Sequence, residues 1–574
     1  MICSRCGKRI PYGKSCCPFC GYTVIRKNNQ FHSYDQGSVN SSGRVTDMNS
    51  MNNASTDIQW QDSPYYMNNY PKKKSSFKKW LAISLSAILI VAVIAVVLVR
   101  KGFLSGADTD PASQTEEEEE AGFSKVTSSE DDLSEVVVIS DPVLKKAIQD
   151  ALNIGDREIL KADALSLTDL VYSGSNNQKI TDITGLSAFK NLTELDLNSN
   201  QISDIGVIYS MLKLKKLDLS NNQISDSRIL SDLPSLTELE LGGNQISDIS
   251  ALSGLTNLTY LGLGGNQISD ISALSGLLNL TELDLGSNQI SDISALSGLT
   301  NLTYLGSGFN QISDISALSG LTNLTELDLD ANQISDISVL SGLTNLTYLF
   351  LGSNQISDIS ALSGLTNLTG LHLGTTQRVE GVLPYIIDWD LASNQISDIS
   401  ALSGLTNLTY LDLTGNQISD ISVLSGLTNL TYLRVFGNQI SDISVLSGLT
   451  NLTVLGLGGN QISDISVLSG LKNLTELGLQ ESQISDISVL SGLKNLTCLY
   501  LFSNQISDIS ALSGLNNLKY LFSYSNQISD ISVLSGLTNL ETLYLKDNPV
   551  LNKKSREEIM NVLSGAKNLS DVDF

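Results

Sequence analysis

The chain has 574 residues and a formal net charge of -25, too long for one compact core and, in its acidic part, too negative to favour nucleic acid or anionic lipid as a partner. The charge is segregated: residues 1–79 hold 12 Lys+Arg against 4 Asp+Glu, whereas the chain beyond Arg100-Lys101 carries a net of -35. Five of the six cysteines lie in the first 20 residues and only His32 and His372 are histidines, which excludes a disulfide-stapled scaffold and leaves little for acid–base catalysis near neutral pH.

The first 22 residues contain two CxxC knuckles, Cys3-Ser-Arg-Cys6-Gly and Cys17-Pro-Phe-Cys20-Gly. Four thiolates at this spacing suit a tetrahedral zinc ion, and the following glycines, Gly7 and Gly21, let the backbone turn around it. So short a segment cannot build a core, so metal binding supplies the folding energy. Cys3, Cys6, Cys17 and Cys20 are the expected zinc ligands, with Cys16 left as a spare thiol. The segment resembles the short zinc ribbons at the N-termini of many bacterial membrane proteins. A redox CxxC pair is the alternative, but no βαβ pattern surrounds it.

Residues 23–79 form a polar linker without apolar periodicity, closing on Lys72-Lys73-Lys74-Ser-Ser-Phe-Lys78-Lys79. Trp80 to Val99 follow without a charge, a run of about 30 Å as a helix, which matches the apolar thickness of a bilayer. Basic residues flank this span, and an acidic stalk over residues 100–134 follows it. That asymmetry predicts a cytoplasmic N-terminus and an extracellular C-terminal bulk. A reducing cytoplasm also keeps the cysteines available as ligands.

Residues 135–177 read as a cap with a helix over Ser140–Leu152, started by an N-cap signal. From residue 178 to 550 a 22-residue unit recurs, typified by Asn-Gln-Ile-Ser-Asp-Ile-Ser-Ala-Leu-Ser-Gly-Leu-Thr-Asn-Leu-Thr-Glu-Leu-Asp-Leu-Gly-Ser. A fixed period of this length marks a stacked array. In the turn starting at Asn200, the residues expected inward are Ile202, Ile205, Ile208, Leu212, Leu214, Leu217 and Leu219. The Leu-x-Leu pair predicts a short strand with outward residues between. A single turn cannot bury its own apolar side, but stacked turns bury it jointly. At about 4.8 Å per strand, some 17 turns span roughly 80 Å. The leading Asn serves backbone groups at the bend of its own turn and its neighbour. The Asp four residues later N-caps the segment that follows, a calcium ladder being the alternative. Twenty-two residues leave room on the convex side only for 3₁₀ or extended segments. Residues 551–574, with Ser555–Leu563 as a closing helix, are expected to cover the last open edge.

This consensus resembles the internalin family of leucine-rich-repeat surface proteins of Gram-positive bacteria, over roughly residues 140–574. The resemblance implies a solenoid displayed at the cell surface. Known members are held through C-terminal signals, whereas the expected anchor here is N-terminal, so their host-invasion roles are not carried over. One turn departs: Asn354 and Asn394 are 40 residues apart rather than 44, and Thr376 stands where an Asn is expected. The stretch 376–393 reads as a drifted repeat, or alternatively as a binding protrusion or hinge.

On such a scaffold the side chains between the strand leucines cover the concave face. Six residues before each Asn, Glu and Tyr alternate over successive turns, including Tyr260, Tyr304 and Tyr348, with Tyr410, Tyr432 and Tyr520 further on. Phe350, Arg434, Tyr500, Phe522 and Tyr544 lie four before the Asn, and Phe436, Phe502 and Tyr524 two before it. Exposed aromatics grouped in this way suit a partner protein, peptide or glycan; cross-strand ladders that only stabilise the sheet are the alternative. No nucleophile–base arrangement or phosphate loop is present. The sequence thus predicts a membrane-anchored binding or adhesion protein, not an enzyme. The alternative is a transmembrane sensor coupling ligand capture to the zinc ribbon.

Overall fold

The computed structural model describes residues 132–175, 177–376 and 394–573. The cysteine knuckles, the basic linker, the apolar run at 80–99 and nearly all of the acidic stalk lie outside the described residues. Among the described residues, no helix is long and apolar enough to cross a membrane, and no group of three or more His, Cys, Asp or Glu could hold a metal ion.

Among the described residues, eighteen three-residue strands form one parallel sheet, numbered in chain order from β1 (Asp169–Val171) and β2 (Glu194–Asp196) to β17 (Thr542–Tyr544) and β18 (Asp571–Asp573). Each pairs with its neighbours in sequence, so Leu195 lies against Leu217 and Leu217 against Leu239. Between successive strands the chain returns through a 3₁₀ segment such as Ser250–Gly254. The expected solenoid of parallel strands and short 3₁₀ turns is therefore what forms.

The inward positions follow the 22-residue period strictly. In the turn from Asn266, the side chains of Ile268, Ile271, Leu274, Leu277, Leu280, Leu283 and Leu285 are all buried. The turn from Asn200 corrects the sequence reading at one point. Met211, not Leu212, occupies the fourth inward place, and Leu212 is 57% exposed. The period puts that place eleven residues after the Asn, and Leu212 falls one residue late. Two other turns break the leucine column with Ser307 and Ser523, whose buried hydroxyls have no hydrogen-bond partner.

The Asn column ties each turn to the one before it. Asn266 Nδ2 donates to Leu241 O and to Leu263 O, both at 3.0 Å, and its Oδ1 accepts from Ile246 N–H at 2.9 Å. Three backbone groups at the bend, which burial would leave unpaired, are satisfied by one amide. The residue before the Asn takes a left-handed conformation in nearly every turn, filled by Gly243 or Gly265 in some and by Ser287, Phe309 or Ala331 in others. The Asp column starts each 3₁₀ segment from one residue before the N-cap expected of it: Ile249 is the N-cap, and Asp248 Oδ1 accepts from Ser250 N–H at 2.8 Å. A second amide column was not anticipated. Asn279 Nδ2 donates to Thr256 O of the preceding turn at 2.9 Å, and Asn301 and Asn323 repeat this.

Residues 377–393 lie outside the described residues, but the strands on either side of them are neighbours, with Leu371 paired to Leu411, so this turn is lengthened and no repeat strand stands between. β10 (Gly370–His372) pairs directly with β9 (Tyr348–Phe350) and with β11 (Tyr410–Asp412), leaving no strand between. Asn394 performs the ladder role, accepting from Ile356 N–H at 2.9 Å and donating to Leu351 O at 2.8 Å. The Thr376 site is bypassed, and the extra residues enter before Asn394.

At the N-terminal end α1 (Pro142–Leu152) begins at Asp141, whose carboxylate accepts from Val143 and Leu144 N–H and also from Thr181 N–H of the first turn. The cap is thereby joined to the array, with Leu144 and Ile148 in its core. At the other end α2 (Arg556–Val562) carries a Ser555–Glu558 capping box and buries Ile559. It does not close the sheet as the sequence reading expects: after the helix, β18 adds to β17.

Ser482 is the one break in the Asn column within the regular turns. Its hydroxyl donates only a long bond to Gln480 O, at 3.4 Å, and Ile462 N–H lacks the side-chain acceptor that Ile440 and Ile484 have in Asn460 and Asn504. Ser482→Asn is expected to stabilise the array by about 1 kcal/mol, and Asn288→Ala to destabilise it by about 3 kcal/mol by orphaning buried groups. Urea unfolding of the chain and its variants, followed by circular dichroism, checks both signs.

The strand face as the candidate binding surface

Parallel strands about 4.8 Å apart force outward side chains at equivalent positions into columns, so each residue meets its counterparts one turn away. The face divides into three regions by what fills those columns.

Over β4 (Glu238–Glu240) to β8 (Glu326–Asp328) the alternation of Glu and Tyr has a packing cause. Tyr260 OH donates to Glu240 Oε2, and that carboxylate lies over Gly262 of the next turn, where a Cβ would come within 2.1 Å of it. The unit recurs with Tyr304, Asp284 and Gly306, where a Cβ would lie 2.8 Å from Tyr304 OH and 3.1 Å from Asp284 Oδ1. Glycine at every second turn is thus what admits a tyrosine–carboxylate pair. The third unit, Tyr348 with Asp328, has Phe350 in place of glycine. Burial and then the nearby carboxylates push the Tyr260 and Tyr304 hydroxyls above their usual range.

The centre of the face is a buried charged pair. His372 Nδ1 lies 2.9 Å from Asp330 Oδ2 and 3.1 Å from Oδ1, and Asp330 Oδ1 also accepts from Gly352 N–H at 2.6 Å. The two side chains are 5% and 2% exposed, so neither charge is screened by water and each depends on the other. Burial alone would lower the His372 pKa, but Asp330, then Asp412 and Asp328, hold it up at about 9. Burial and the adjacent Asp330 push the Asp328 carboxyl up. His372 lies four residues before the Thr376 site, in the same outward column as Phe350, and Asp330, two turns away in the column two before the Asn, is the sequence signal for its partner.

Toward the C-terminus the face is aromatic. Tyr410 stacks on Tyr432 with ring centroids 4.4 Å apart, Tyr500 on Phe522 at 4.9 Å, and Phe502 on Tyr524 at 4.5 Å, while Phe522 meets Tyr544 edge-on at 5.1 Å. Arg434 lies over the Tyr432 ring at 4.9 Å and 3.6 Å from Glu476. The expectation of exposed rings holds only in part. Phe436, Tyr500, Phe502 and Phe522 are buried, and together with Cys498 the last three form a small second core. The strand spacing equals a stacking distance, so these rings cover one another. Tyr260, Tyr304, Tyr348, Phe350, Tyr410, Tyr432, Arg434, Tyr520, Tyr524 and Tyr544 remain half-buried and present surface. Burial pushes the Cys498 thiol up to about 12, so it is not a thiolate at neutral pH. Gln480 is fully buried beside Phe436 with neither amide atom paired.

A family model described as leucine-rich repeats in two copies matches the chain eleven times, from residues 166–210 to 494–534, pausing between 381 and 390 within the lengthened turn. The matches cover more than half of the chain. An internalin from Listeria monocytogenes is 36% identical, over 64% of this chain and 96% of its own, with a TM-score of 0.53. A leucine-rich-repeat protein of Leptospira interrogans is 25% identical, over 72% and 97%, with a TM-score of 0.54. The ectodomain of the Arabidopsis receptor kinase HAESA, solved with a peptide hormone ligand, is 24% identical over 63% of each chain, with a TM-score of 0.50; that likeness is one of fold. No curated protein matches the chain.

The His372–Asp330 pair makes stability depend on pH. The folded-state pKa of His372 lies above its usual 6.5, so its contribution is complete below about 6.5 and is lost as the pH rises through about 9. The span corresponds to on the order of 3 kcal/mol. Thermal melts from pH 6 to 10 are expected to show this decline in the native chain and a flatter profile in His372→Gln.

Proposed function

The chain belongs to the leucine-rich-repeat family, and on that premise we propose that it is a surface-displayed binding module, not an enzyme, whose strand face captures a protein or peptide partner outside the cell. One observation carries the reading: among the described residues, eighteen strands repeat one backbone over a core that is leucine in nearly every turn, while the outward columns vary from acidic to charged-paired to aromatic. Variation concentrated at outward positions of a rigid scaffold is the arrangement that recognition requires and packing does not. The half-buried tyrosines and Arg434 are the residue types that anchor interfaces. Likeness to an internalin supports display at a bacterial surface.

The attachment we infer is N-terminal: residues 80–99 span the membrane, the basic side faces the cytoplasm, and the acidic stalk carries the repeats outward. Cys3, Cys6, Cys17 and Cys20 hold a zinc ion in the cytoplasmic segment, as their spacing and thiolate chemistry support.

Immobilised full-length chain is expected to retain a surface partner that Tyr410→Ser/Tyr432→Ser and Tyr520→Ser/Tyr524→Ser variants retain less well; retention unchanged by every strand-face substitution would refute the reading. Protease added to intact cells is expected to release the repeat domain by cutting the stalk, whereas full protection would overturn the topology. Metal analysis of the purified chain is expected to find one zinc per chain, lost in Cys3→Ser/Cys6→Ser.

A further inference from the structure

The aromatic half of the strand face largely covers itself, but the half from β2 to β8 does not balance its own charge. Lys216 is the only basic side chain on these strands, and it is already engaged with Glu238 at 2.9 Å. Carboxylates occupy outward places on β2, β4, β6 (Glu282–Asp284) and β8, with Asp218 on β3 (Lys216–Asp218). Burial, reinforced by neighbouring carboxylates, pushes the carboxyl groups of Asp218, Glu240 and Glu282 above their usual range. A half-buried row of like charges is screened less by salt than an exposed one. The inner column is also periodic: Glu240, Asp284 and Asp328 recur every second turn. Tyr260 and Tyr304, half-buried, stand beside the first two, and their rings add cation–π attraction to the carboxylates.

From this sheet face we propose that β2 to β8 seat an extended cationic polypeptide segment of the partner, with basic side chains recurring about every 10 Å, two strand spacings apart. The inference rests on the strand face being the docking surface. It adds the chemistry of the occupant. A polyproline II segment rises about 3.1 Å per residue with three residues per turn, so a Lys or Arg at every third position returns to the same side about every 9.3 Å and matches the carboxylate pitch. A β-strand would turn every third side chain away and does not match. An anionic segment or a compact anion is repelled here.

The test uses the full-length chain in neutral detergent and two labelled peptides of identical composition. One is four repeats of Lys-Pro-Pro; the other holds its four lysines contiguously. Fluorescence anisotropy is expected to show the spaced peptide binding about tenfold more tightly, with an affinity that falls as salt rises. Glu240→Gln/Asp284→Asn is expected to weaken it about tenfold. These amides keep an acceptor for Tyr260 OH and for Gly286 N–H, which Asp284 Oδ1 receives at 2.9 Å, and unchanged melting confirms the fold. Asp292→Asn/Asp314→Asn, on exposed carboxylates that cap the 3₁₀ side, is expected to change nothing. Equal binding of the two peptides, no binding of either, or equal loss in the 3₁₀-side variant would overturn the proposal. If it fails while partner retention still falls in the tyrosine variants, the strand face remains the docking surface and only the cationic segment is retired.

Discussion

A stack of identical turns must solve one problem many times: the backbone bends sharply where it enters the core, and its polar groups there are cut off from water. The buried Asn amide solves it by reaching two carbonyls and one N–H across the boundary between turns, as Asn266 does with Leu241, Leu263 and Ile246. The bond pattern is inter-turn, so a turn is satisfied only when its neighbour is present. Leucine burial drives the stacking, and the amide fixes its register. Together they explain why the array runs without an extra strand through the lengthened turn, where Asn394 replaces the bypassed site.

Once register is fixed, the strand spacing dictates what the outward face can be. Side chains in one column are brought within contact distance, and the outcome depends on their chemistry. Aromatic rings stack and bury one another, as Tyr500 and Phe522 do. Opposite charges two turns apart pair, as His372 and Asp330 do. Like charges can only be spaced, and the glycines at 262 and 306 provide the space in which Glu240 and Asp284 sit beside tyrosine hydroxyls. The same rigid pitch that orders the core therefore leaves one part of the surface self-contained and another short of positive charge.

The fold was legible because its signals are periodic and local. The leucine, Asn and Asp columns each carry one physical role, and each is repeated often enough for the spacing to be unambiguous. Misreadings arose where the period slipped by one, as at Leu212, or where an insertion imitated a repeat, as before Asn394. The face was less legible because its chemistry is written across turns. Nothing near His372 in the chain announces Asp330, and exposure of Phe436 or Phe502 depends on neighbours a turn away. The second amide column was hidden by looking, in sequence, like an ordinary exposed Asn.

The register of the whole array rests on the inter-turn amide. Native-state hydrogen exchange resolved at the isoleucine that follows each Asn by two positions reads it directly. Strong protection is predicted along the series, including Ile246, Ile268 and Ile290, with a local minimum at Ile462, where Ser482 supplies no acceptor. Protection at Ile462 equal to its neighbours, or rapid exchange throughout the series, would contradict it.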